Sequence, residues 1–524
     1  MKVPVAIAKL VRRLKDSGTD WFFVVAMTVL TVIYALPMVV TKYPPLQDNL
    51  AHVKVISIWK ALSADPKANR DYQLKVKATP YLTYYGVVRA LSTVMPLQLA
   101  NRLFLIIYAL AVPLSVLAML AVFGRDKRLA LLCFPLVYNP VIIAGFTPNA
   151  ISIPLALFCM ATLKWDLSRP SIGRAVLLGV LTIALYFSHV AGFFTFAVTG
   201  PVILLMTTVN WRRLLRHTAP VLPALGIAAY WTLQAAGGRH SFRGDWDKIE
   251  AKVSTFLRWL NDTRVDGRDT ETLVWAGATL LVALLTAQRL GRRGDRTNLC
   301  LTICLLGLLT AFLLLPRGIK EPFYHWSTAA RLVFPAALMM IVAAPVSLRG
   351  RLWATLLVPT IVASGIHGIG HIRGFRTVDR VIRPLENLVE SMPSGKRVLV
   401  LHYTLTAGPY RTNNLLHATS LVEILRGGRT SDGLIAKEVI PIAHKTSLPS
   451  PPDYDEPHKF RYYKHARGYD FVLTVRKPPK QGAPKVLPGG AGFVVLERES
   501  GWFALYRINH PQPAVKTPAG GRAR

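Results

Sequence analysis

The chain of 524 residues is 52% hydrophobic and only 17% charged, and its mean hydropathy is +0.34. Soluble proteins of this length are rarely so apolar, so the composition argues against a soluble enzyme and predicts a membrane protein with several spans. The net charge of +35 is large enough for a nucleic-acid-binding protein. However, the basic residues are dispersed between apolar spans, where membrane topology explains them, and no nucleic-acid partner is expected.

The N-terminal segment is basic, with Lys2, Lys9, Arg12, Arg13 and Lys15 ahead of a long apolar run. No small-residue cleavage site follows this run, which is typical of an uncleaved signal-anchor. The four cysteines all fall inside apolar spans and show no zinc spacing. The cysteines therefore predict neither a disulfide framework nor a metal site.

Apolar runs long enough to cross a bilayer predict about eleven transmembrane helices. The predicted spans are 21–40, 103–123, 129–147, 150–165, 174–188, 190–209, 218–236, 272–290, 299–315, 330–347 and 351–370. The connections on one side are all short and basic, and they are densest in basic residues at 211–213 and 289–296. These connections are 124–128, 164–174, 210–217, 288–297 and 347–351. This positive-inside pattern places the N-terminus in the cytoplasm and, for an odd number of spans, the C-terminus outside.

The outer face then carries three loops, 41–102, 237–271 and 316–329, and everything after about residue 371. The segment 1–380 is predicted to be the transmembrane domain. Alternating apolar patterns predict strands in 385–510, and the last two flank a hairpin signal. These strands are 396–401, 469–475, 493–497 and 502–508, and a helix is predicted at 415–426.

The fold class is therefore an α-helical polytopic membrane protein, N-in and C-out, with a small C-terminal α/β domain outside the membrane at 385–510. Residues 511–524 are rich in Pro, Gly, Ala and Arg and are predicted to be a disordered basic tail.

One short stretch stands out directly after the first span: Tyr43-Pro44-Pro45-Leu46-Gln47-Asp48-Asn49-Leu50-Ala51-His52. Proline lacks the amide hydrogen and fixes φ, so the span must end here. Asp48 falls at the N-cap of the next helix, and His52 lies four residues later on the same face. One reading of Asp48 is a helix cap, and the other is a reactive carboxylate at the membrane surface.

Other ionisable and aromatic groups gather on the same outer face, which is informative because such groups are costly at membrane depth. The candidates beside Asp48 are His52, Lys54, Asp71, Tyr84, Tyr85, Arg102, His189, Tyr324, His325 and Arg331. Ordinary roles stay open for some of them. His189 is equally compatible with a satisfied polar group between helices, and an arginine such as Arg331 can snorkel to the interface.

A carboxylate and several cations on one face suit a lipid donor that carries a phosphate. The carboxylate takes a proton from an acceptor hydroxyl, or holds that acceptor in place. The cations neutralise the lipid phosphate as it leaves. A guanidinium is well suited to this task because it can form two parallel hydrogen bonds to phosphate.

The topology and the segment Pro45-Leu46-Gln47-Asp48-Asn49-Leu50-Ala51-His52 resemble the GT-C superfamily, the integral-membrane glycosyltransferases that use polyprenyl-phosphate sugars. The resemblance implies that Asp48 is the catalytic base and that Arg331 binds the donor phosphate, with Lys54 and Arg102 as further phosphate ligands. It implies substrate contacts for a second group, namely His52, Tyr84, Tyr85, His189, Tyr324 and His325. Asp71 is the candidate for a second family acid.

The resemblance also implies a bacterial inner-membrane location and three kinds of partner: a polyprenyl-phosphate sugar donor, a lipid, glycan or protein acceptor, and membrane lipids. Members often carry adjacent acids, whereas Asn49 follows Asp48 here, so a divalent cation is at most a possible cofactor. Hexosyl and pentosyl transfer both stay open.

Two other functions are weighed against this one. A transporter or lipid flippase would place polar groups near the bilayer midplane and show paired half-sequences, and no two-fold repeat is found. A membrane-anchored binding protein would use 385–510 as its active module, but eleven spans are excessive for an anchor.

Overall fold

A computed structural model of the protein describes residues 20–236, 243–288, 296–321, 325–345, 350–431, 440–454, 456–478 and 483–510. The basic N-terminal segment and the predicted tail at 511–524 lie outside these residues. Most of the described chain is helical, and a mixed sheet lies near its C-terminal end. The α-helices are α1 (Trp21–Val40), α2 (Asn49–Ala64), α3 (Leu82–Leu91), α4 (Leu97–Val122), α5 (Pro140–Ile143), α6 (Thr147–Ser168), α7 (Ile172–Ser188), α8 (Val190–Thr207), α9 (Trp211–Thr218), α10 (Leu222–Ala236), α11 (Ile249–Asn261), α12 (Arg268–Gln288), α13 (Arg296–Leu314), α14 (Val333–Ala343), α15 (Gly350–Glu390), α16 (Leu421–Arg426) and α17 (Tyr462–His465).

Five helices in the described part of the chain are long and apolar enough to cross a bilayer, and they are α1, α4, α6, α8 and α13. Helix α7 and the segment Ala329–Ala343 are apolar but shorter. The chain is thus a multi-pass membrane protein, as its composition predicts. The full number of spans, about eleven by sequence, stays a prediction.

The predicted span 129–147 is wrong. Residues Lys127–Leu136 form a 3₁₀ helix, and the short helix α5 follows it. Pro135 and Pro140 lack the amide hydrogen that a continuous helix needs at these positions. Asn139 then starts α5 by accepting a hydrogen bond from the Val141 amide at 2.9 Å. The segment is apolar because it is buried among the helices, not because it crosses the membrane as one helix.

The last predicted span, 351–370, is part of a much longer element. Helix α15 has 41 residues, which corresponds to about 60 Å at 1.5 Å per residue and is twice the thickness of the hydrocarbon core. The proposed domain boundary between 380 and 385 therefore falls inside one continuous helix. Leu385 near its end shares a core with Leu30 and Tyr34 of α1 and with Phe471 of the sheet.

The C-terminal sheet has five strands, and they are β4 (Arg397–His402), β5 (Arg429–Thr430), β7 (Phe471–Val475), β8 (Val494–Ser500) and β9 (Phe503–Ile508). Their order across the sheet is β5–β4–β7–β9–β8. β4 is parallel to β5 and β7, whereas β9 is antiparallel to β7 and β8. Gly501, with a φ of +59°, turns the β8–β9 hairpin. The four strands expected from alternating sequence patterns are thus confirmed.

The helix predicted at 415–426 is too long. Only α16 and a preceding 3₁₀ turn, Ala418–Ser420, are helical. The first part of the segment, up to His417, instead runs across the turn that contains Asp48.

Two short pairs of strands connect the loops predicted on the outer face to each other and to the C-terminal domain. β2 (Arg243–Asp245) pairs with β3 (Gly318–Glu321), and so joins the second and third loops. β1 (Tyr72–Leu74) of the first loop pairs antiparallel with β6 (Ile442–His444) of the C-terminal domain. The side of the molecule that carries these loops and the sheet is called the domain side below.

Asp71 lies directly before β1 and is held by the C-terminal domain. Arg397 donates to its carboxylate through Nη2 at 2.6 Å and through Nε at 3.1 Å, and the Thr446 hydroxyl donates at 2.8 Å. Burial alone would raise the pKa of Asp71, but the hydrogen bonds from Arg397 and Thr446 outweigh it and hold the pKa below its usual range. Asp71 is therefore a clamp between the first loop and the C-terminal domain.

We expect Asp71→Asn to weaken this clamp by about 2–3 kcal/mol at neutral pH, since one partner of a largely buried ion pair is removed. Amide exchange in β1 and β6 should then quicken by about thirtyfold or more. The pKa of Asp71 is lower in the folded protein than in the unfolded chain. The extra stability of the wild type is therefore present above the unfolded pKa and is lost as the pH falls through the folded pKa. The difference between the two proteins should begin to shrink near the ordinary aspartate pKa of about 4 and should vanish only below the depressed folded pKa of Asp71. Asp65→Asn, at the exposed end of α2, is the control, and equal protection at neutral pH would contradict the clamp.

Candidate functional site

The turn after α1 positions Asp48. Helix α1 ends at Val40, and the backbone amides of Gln47 and Asp48 donate to the carbonyls of Ile143 and Ala144 at 3.1 and 3.2 Å. Asp48 occupies the N-cap position of α2, but its side chain makes no capping hydrogen bond. A capping role therefore does not account for this carboxylate.

Gly145 allows the turn to approach this closely. Its φ is +78°, a left-handed conformation that side chains rarely adopt. A Cβ at this position would lie 2.9 Å from the Asp48 Cα and nearer still to the Asp48 amide nitrogen. Only glycine fits, because the contact is with backbone that cannot rotate away.

We expect Gly145→Ala to displace the Asp48 turn and to lower turnover at least tenfold, at a stability cost of about 1–2 kcal/mol for the strained backbone. An assay of the activity that the sequence resemblance implies, next to a thermal unfolding curve, separates the two effects. Gly86→Ala on α3, where a Cβ meets no atom within 4 Å, is the matched control. Full activity in Gly145→Ala would show that the position of Asp48 is not critical.

The Asp48 carboxylate is contacted from the C-terminal domain. Gln47 Nε2 donates to its Oδ1 at 3.3 Å, and His417 Nε2 lies 3.5 Å from the same oxygen. Asn413 in turn donates its backbone amide to Gln47 Oε1 at 3.1 Å. The segment that leads into α16 therefore covers one side of the turn and restrains the carboxylate.

On its other side Asp48 faces a small cavity of about 40 Å³. The cavity is lined by Asp48, His52, Tyr81, Tyr85, Phe146, Pro148, Asn149, His189, Arg331 and Ile440. These residues come from the first loop, from the starts of α6 and α8, from the turn before α14 and from the C-terminal domain. Segments nearly 400 residues apart in sequence thus build one polar cavity on the domain side.

Arg331 supplies the cation of this cavity. It belongs to the 3₁₀ turn Ala329–Leu332 and is 7% exposed. Its Nε and Nη2 donate to the Trp326 carbonyl, both at 3.3 Å, and the guanidinium lies 4.2 Å from the centroid of the Phe146 ring. The guanidinium has five N–H donors, so this arrangement fixes the side chain and leaves donors for a ligand.

His189 is both a structural cap and part of the cavity wall. Its Nδ1 accepts a hydrogen bond from the Ala191 amide at 3.0 Å and so caps α8. With Nδ1 as acceptor, the neutral ring carries its proton on Nε2, which lies 3.0 Å from the Tyr81 hydroxyl. Tyr81 then accepts from His189 and keeps its own hydroxyl hydrogen for another partner. His52 is held similarly, with Nδ1 2.7 Å from the Tyr85 hydroxyl.

Asn149 is fully buried in the first turn of α6, and within the described part of the chain neither its amide oxygen nor its amide nitrogen has a hydrogen-bond partner. A buried amide without partners costs free energy. The side chain lines the cavity beside Asp48 and Arg331. An amide in this state is well placed to bind a polar ligand.

The structure brings together five of the residues singled out from the sequence: Asp48, His52, Tyr85, His189 and Arg331. His325 lies next to them, with its ring centroid 5.6 Å from that of His189 and its Nδ1 2.8 Å from the Thr328 hydroxyl.

Other candidates lie elsewhere. Lys54 is buried on the opposite face of α2, 3.6 Å from Glu423 of α16. Arg102 donates to the carbonyls of Val39 and Thr41 at the end of α1.

Tyr84 points away from the cavity and donates to Asn101 at 2.8 Å. Tyr324 lies outside the described residues. None of these three described side chains, Lys54, Arg102 and Tyr84, lines the cavity.

Sequence reasoning missed Tyr81, Phe146, Asn149 and His417. The Thr147-Pro148-Asn149 stretch indicates the start of a helix, because proline is favoured in the first turn. This pattern is the sequence feature that could have singled out Asn149. His417 was placed in a predicted helix, and nothing in its sequence neighbourhood links it to Asp48. Within the described ranges no group of three or more His, Cys, Asp or Glu side chains is arranged to hold a metal ion.

No protein-family model matches the sequence, and no curated protein matches it significantly. Solved structures do resemble the fold. ArnT from Cupriavidus metallidurans in the apo state is 13% identical, with 94% of this chain and 98% of ArnT covered and a TM-score of 0.49. The same protein bound to undecaprenyl phosphate is 14% identical, with 93% and 97% covered and a TM-score of 0.47.

The arabinofuranosyltransferase AftD from Mycobacteria is also 14% identical, with a TM-score of 0.47, and the match covers 94% of this chain and 41% of AftD. At such identities and scores the likeness concerns overall architecture alone. The chemistry of the site therefore rests on the side chains of this chain.

Proposed function

We propose that this chain is a membrane glycosyltransferase of the GT-C type, which moves a sugar from a polyprenyl-phosphate donor to an acceptor hydroxyl. The observation that carries the proposal is the meeting of Asp48 and Arg331 in one cavity, although 283 positions separate them in the sequence. Sugar transfer from a lipid phosphate releases a proton from the acceptor and builds negative charge on the leaving phosphate. At the end of the apolar bundle, the carboxylate can take the proton and the fixed guanidinium can bind the negative charge.

In this mechanism Asp48 is the base. The acceptor oxygen bonds to the anomeric carbon of the sugar while its proton passes to the Asp48 carboxylate. His417 and Gln47 keep the carboxylate oriented. The side chain therefore loses less rotational entropy when the substrate binds.

Arg331 acts on the leaving group. As the bond between the anomeric carbon and the phosphate oxygen breaks, negative charge grows on the polyprenyl phosphate. The guanidinium, already fixed by the Trp326 carbonyl and the Phe146 ring, binds that charge without reorganising. The Asn149 amide and the Tyr81 hydroxyl supply uncharged hydrogen bonds to the same phosphate or to the sugar.

The domain side is, in this proposal, the outer face of a bacterial inner membrane. The basic loops on the other side support this orientation through the positive-inside rule. The lipid tail would lie between apolar helices, while the sugar and the acceptor meet below the C-terminal domain. Ile440 of that domain lines the cavity.

The experiment is a binding and turnover assay of the purified full chain with a panel of polyprenyl-phosphate sugars, hexoses and pentoses included. One donor should bind and be consumed, which also names the sugar. If no donor binds to a folded protein, the enzyme proposal fails. Uptake or flipping in proteoliposomes would then be the next activity to measure.

A further inference from the structure

A second and larger cavity of about 350 Å³ lies beside the site on the domain side and shares no lining residue with it. Helix α11, the end of α13 and the turn before α14 form its walls. Gln47 lines this cavity, whereas the next residue, Asp48, lines the first one. The two cavities are therefore neighbours across the thickness of the Asp48 turn.

Two indoles line this cavity. The ring centroids of Trp259 and Trp326 are 6.0 Å apart, and both rings contact Phe146, at 6.4 and 5.8 Å. Phe146 is the ring beneath Arg331. Indole faces bind the apolar face of a flat or ring-shaped ligand, and their enrichment in binding pockets reflects this large, rigid contact area.

The cavity also contains a buried ammonium group. Lys252 of α11 is 4% exposed, and its Nζ donates to the carbonyls of Phe312 and Leu315 at 3.1 and 2.6 Å. Within the described residues no carboxylate lies within 4 Å of this Nζ. An ammonium has three N–H donors, so two carbonyls do not use all of them and do not neutralise its charge. Burial lowers the pKa of Lys252, and Asp247 opposes this effect.

Both carboxylates that line the cavity already lie close to an arginine. Asp247 lies 3.6 Å from Arg317, and Asp262 lies 2.7 Å from Arg411. Arg258 lines the cavity as well. The lining thus holds an excess of positive charge beside an aromatic wall, which an oxyanion on a ring-shaped ligand would complement.

We infer that this second cavity is the acceptor subsite and that the acceptor is an anionic saccharide, an inference that rests on the proposed function. Its ring packs against the Trp259 and Trp326 indoles, and its phosphate or carboxylate pairs with Lys252. The hydroxyl to be glycosylated is then presented to Asp48 past Gln47. The donor phosphate stays with Arg331 in the smaller cavity.

The test uses probes that need no turnover. Glucose 6-phosphate, the neutral methyl glucoside and inorganic phosphate are titrated by ligand-observed NMR into the full-length protein in detergent. Glucose 6-phosphate should bind at least tenfold more tightly than either other probe. Lys252→Met and Trp259→Ala should each weaken it about tenfold, whereas Lys248→Met at the N-cap of the same helix and Trp246→Ala, whose exposed ring does not line the cavity, should not.

Three results would overturn the inference. Inorganic phosphate could bind as tightly as the sugar phosphate, both variants could bind like the wild type, or undecaprenyl phosphate could displace the probe, which would assign the oxyanion site to the donor. If Lys252→Met does not fold, Lys252→Arg, which keeps the charge, and Trp259→Ala decide the outcome. Asp48→Asn should bind the probe normally, so loss of transfer and loss of this subsite are separable.

Discussion

Replacing Asp48 by asparagine should lower sugar transfer by about 10²–10⁴-fold, the usual contribution of a general base. Asparagine keeps the size and the hydrogen-bonding capacity of the side chain but cannot take the acceptor proton. Because the Asp48 side chain does not cap α2, the substitution should leave the helix intact. Turnover with a saturating donor, next to a donor titration, measures the two effects separately.

Asp65→Asn, at the other end of the same helix, is the matched control, since its carboxylate is exposed and distant from the cavity. Donor affinity in Asp48→Asn should stay within about threefold of the wild type. Full transfer activity in this variant would remove Asp48 from the mechanism, whatever the role of its neighbours.

Arg331 carries the second large effect. Arg331→Ala removes a buried guanidinium whose hydrogen bonds to a charged partner contribute about 1.5–3 kcal/mol, so donor affinity should fall about 10–100-fold. The rate of the chemical step should fall too, because charge on the leaving phosphate grows in the transition state. The readouts are the donor Kd and single-turnover rate.

Arg331→Lys distinguishes charge from geometry. It keeps the positive charge but loses the planar fork and the stacking on Phe146, so an intermediate loss of affinity is expected. Lys320→Ala, an exposed cation in β3, is the control. If Arg331→Ala folds and binds the donor like the wild type, the phosphate lies elsewhere.

Much of the architecture follows from local sequence patterns. The four C-terminal strands and most long apolar helices were predictable, because alternation and hydrophobic length are local properties. The span at 129–147 failed because a buried segment and a membrane helix share the same apolar composition. The prolines at 135 and 140 were the signal that distinguishes them.

The candidate site was predictable in part for a different reason. Asp48 and Arg331 each sit near the end of an apolar run, where an ionisable group is unusual, and this property together with the family resemblance singled them out. Lys54 shared the same loop but faces Glu423, since one helix presents neighbouring residues to opposite sides. Asn149 and His417 depend on contacts between distant segments, which one sequence does not encode locally.

The contact between His417 and Asp48 has a consequence for biosynthesis. The proposed base emerges early, whereas His417, which contacts it, and Ile440, which lines its cavity, are made much later. The sheet of the C-terminal domain is complete only when β9 has paired with β7 and β8, near the end of the chain. A nascent chain still leaving the ribosome therefore has an unfinished site. In the proposed function, the site that receives the lipid donor is therefore complete only after synthesis of nearly the whole protein, and we expect a chain truncated before β9 to be inactive.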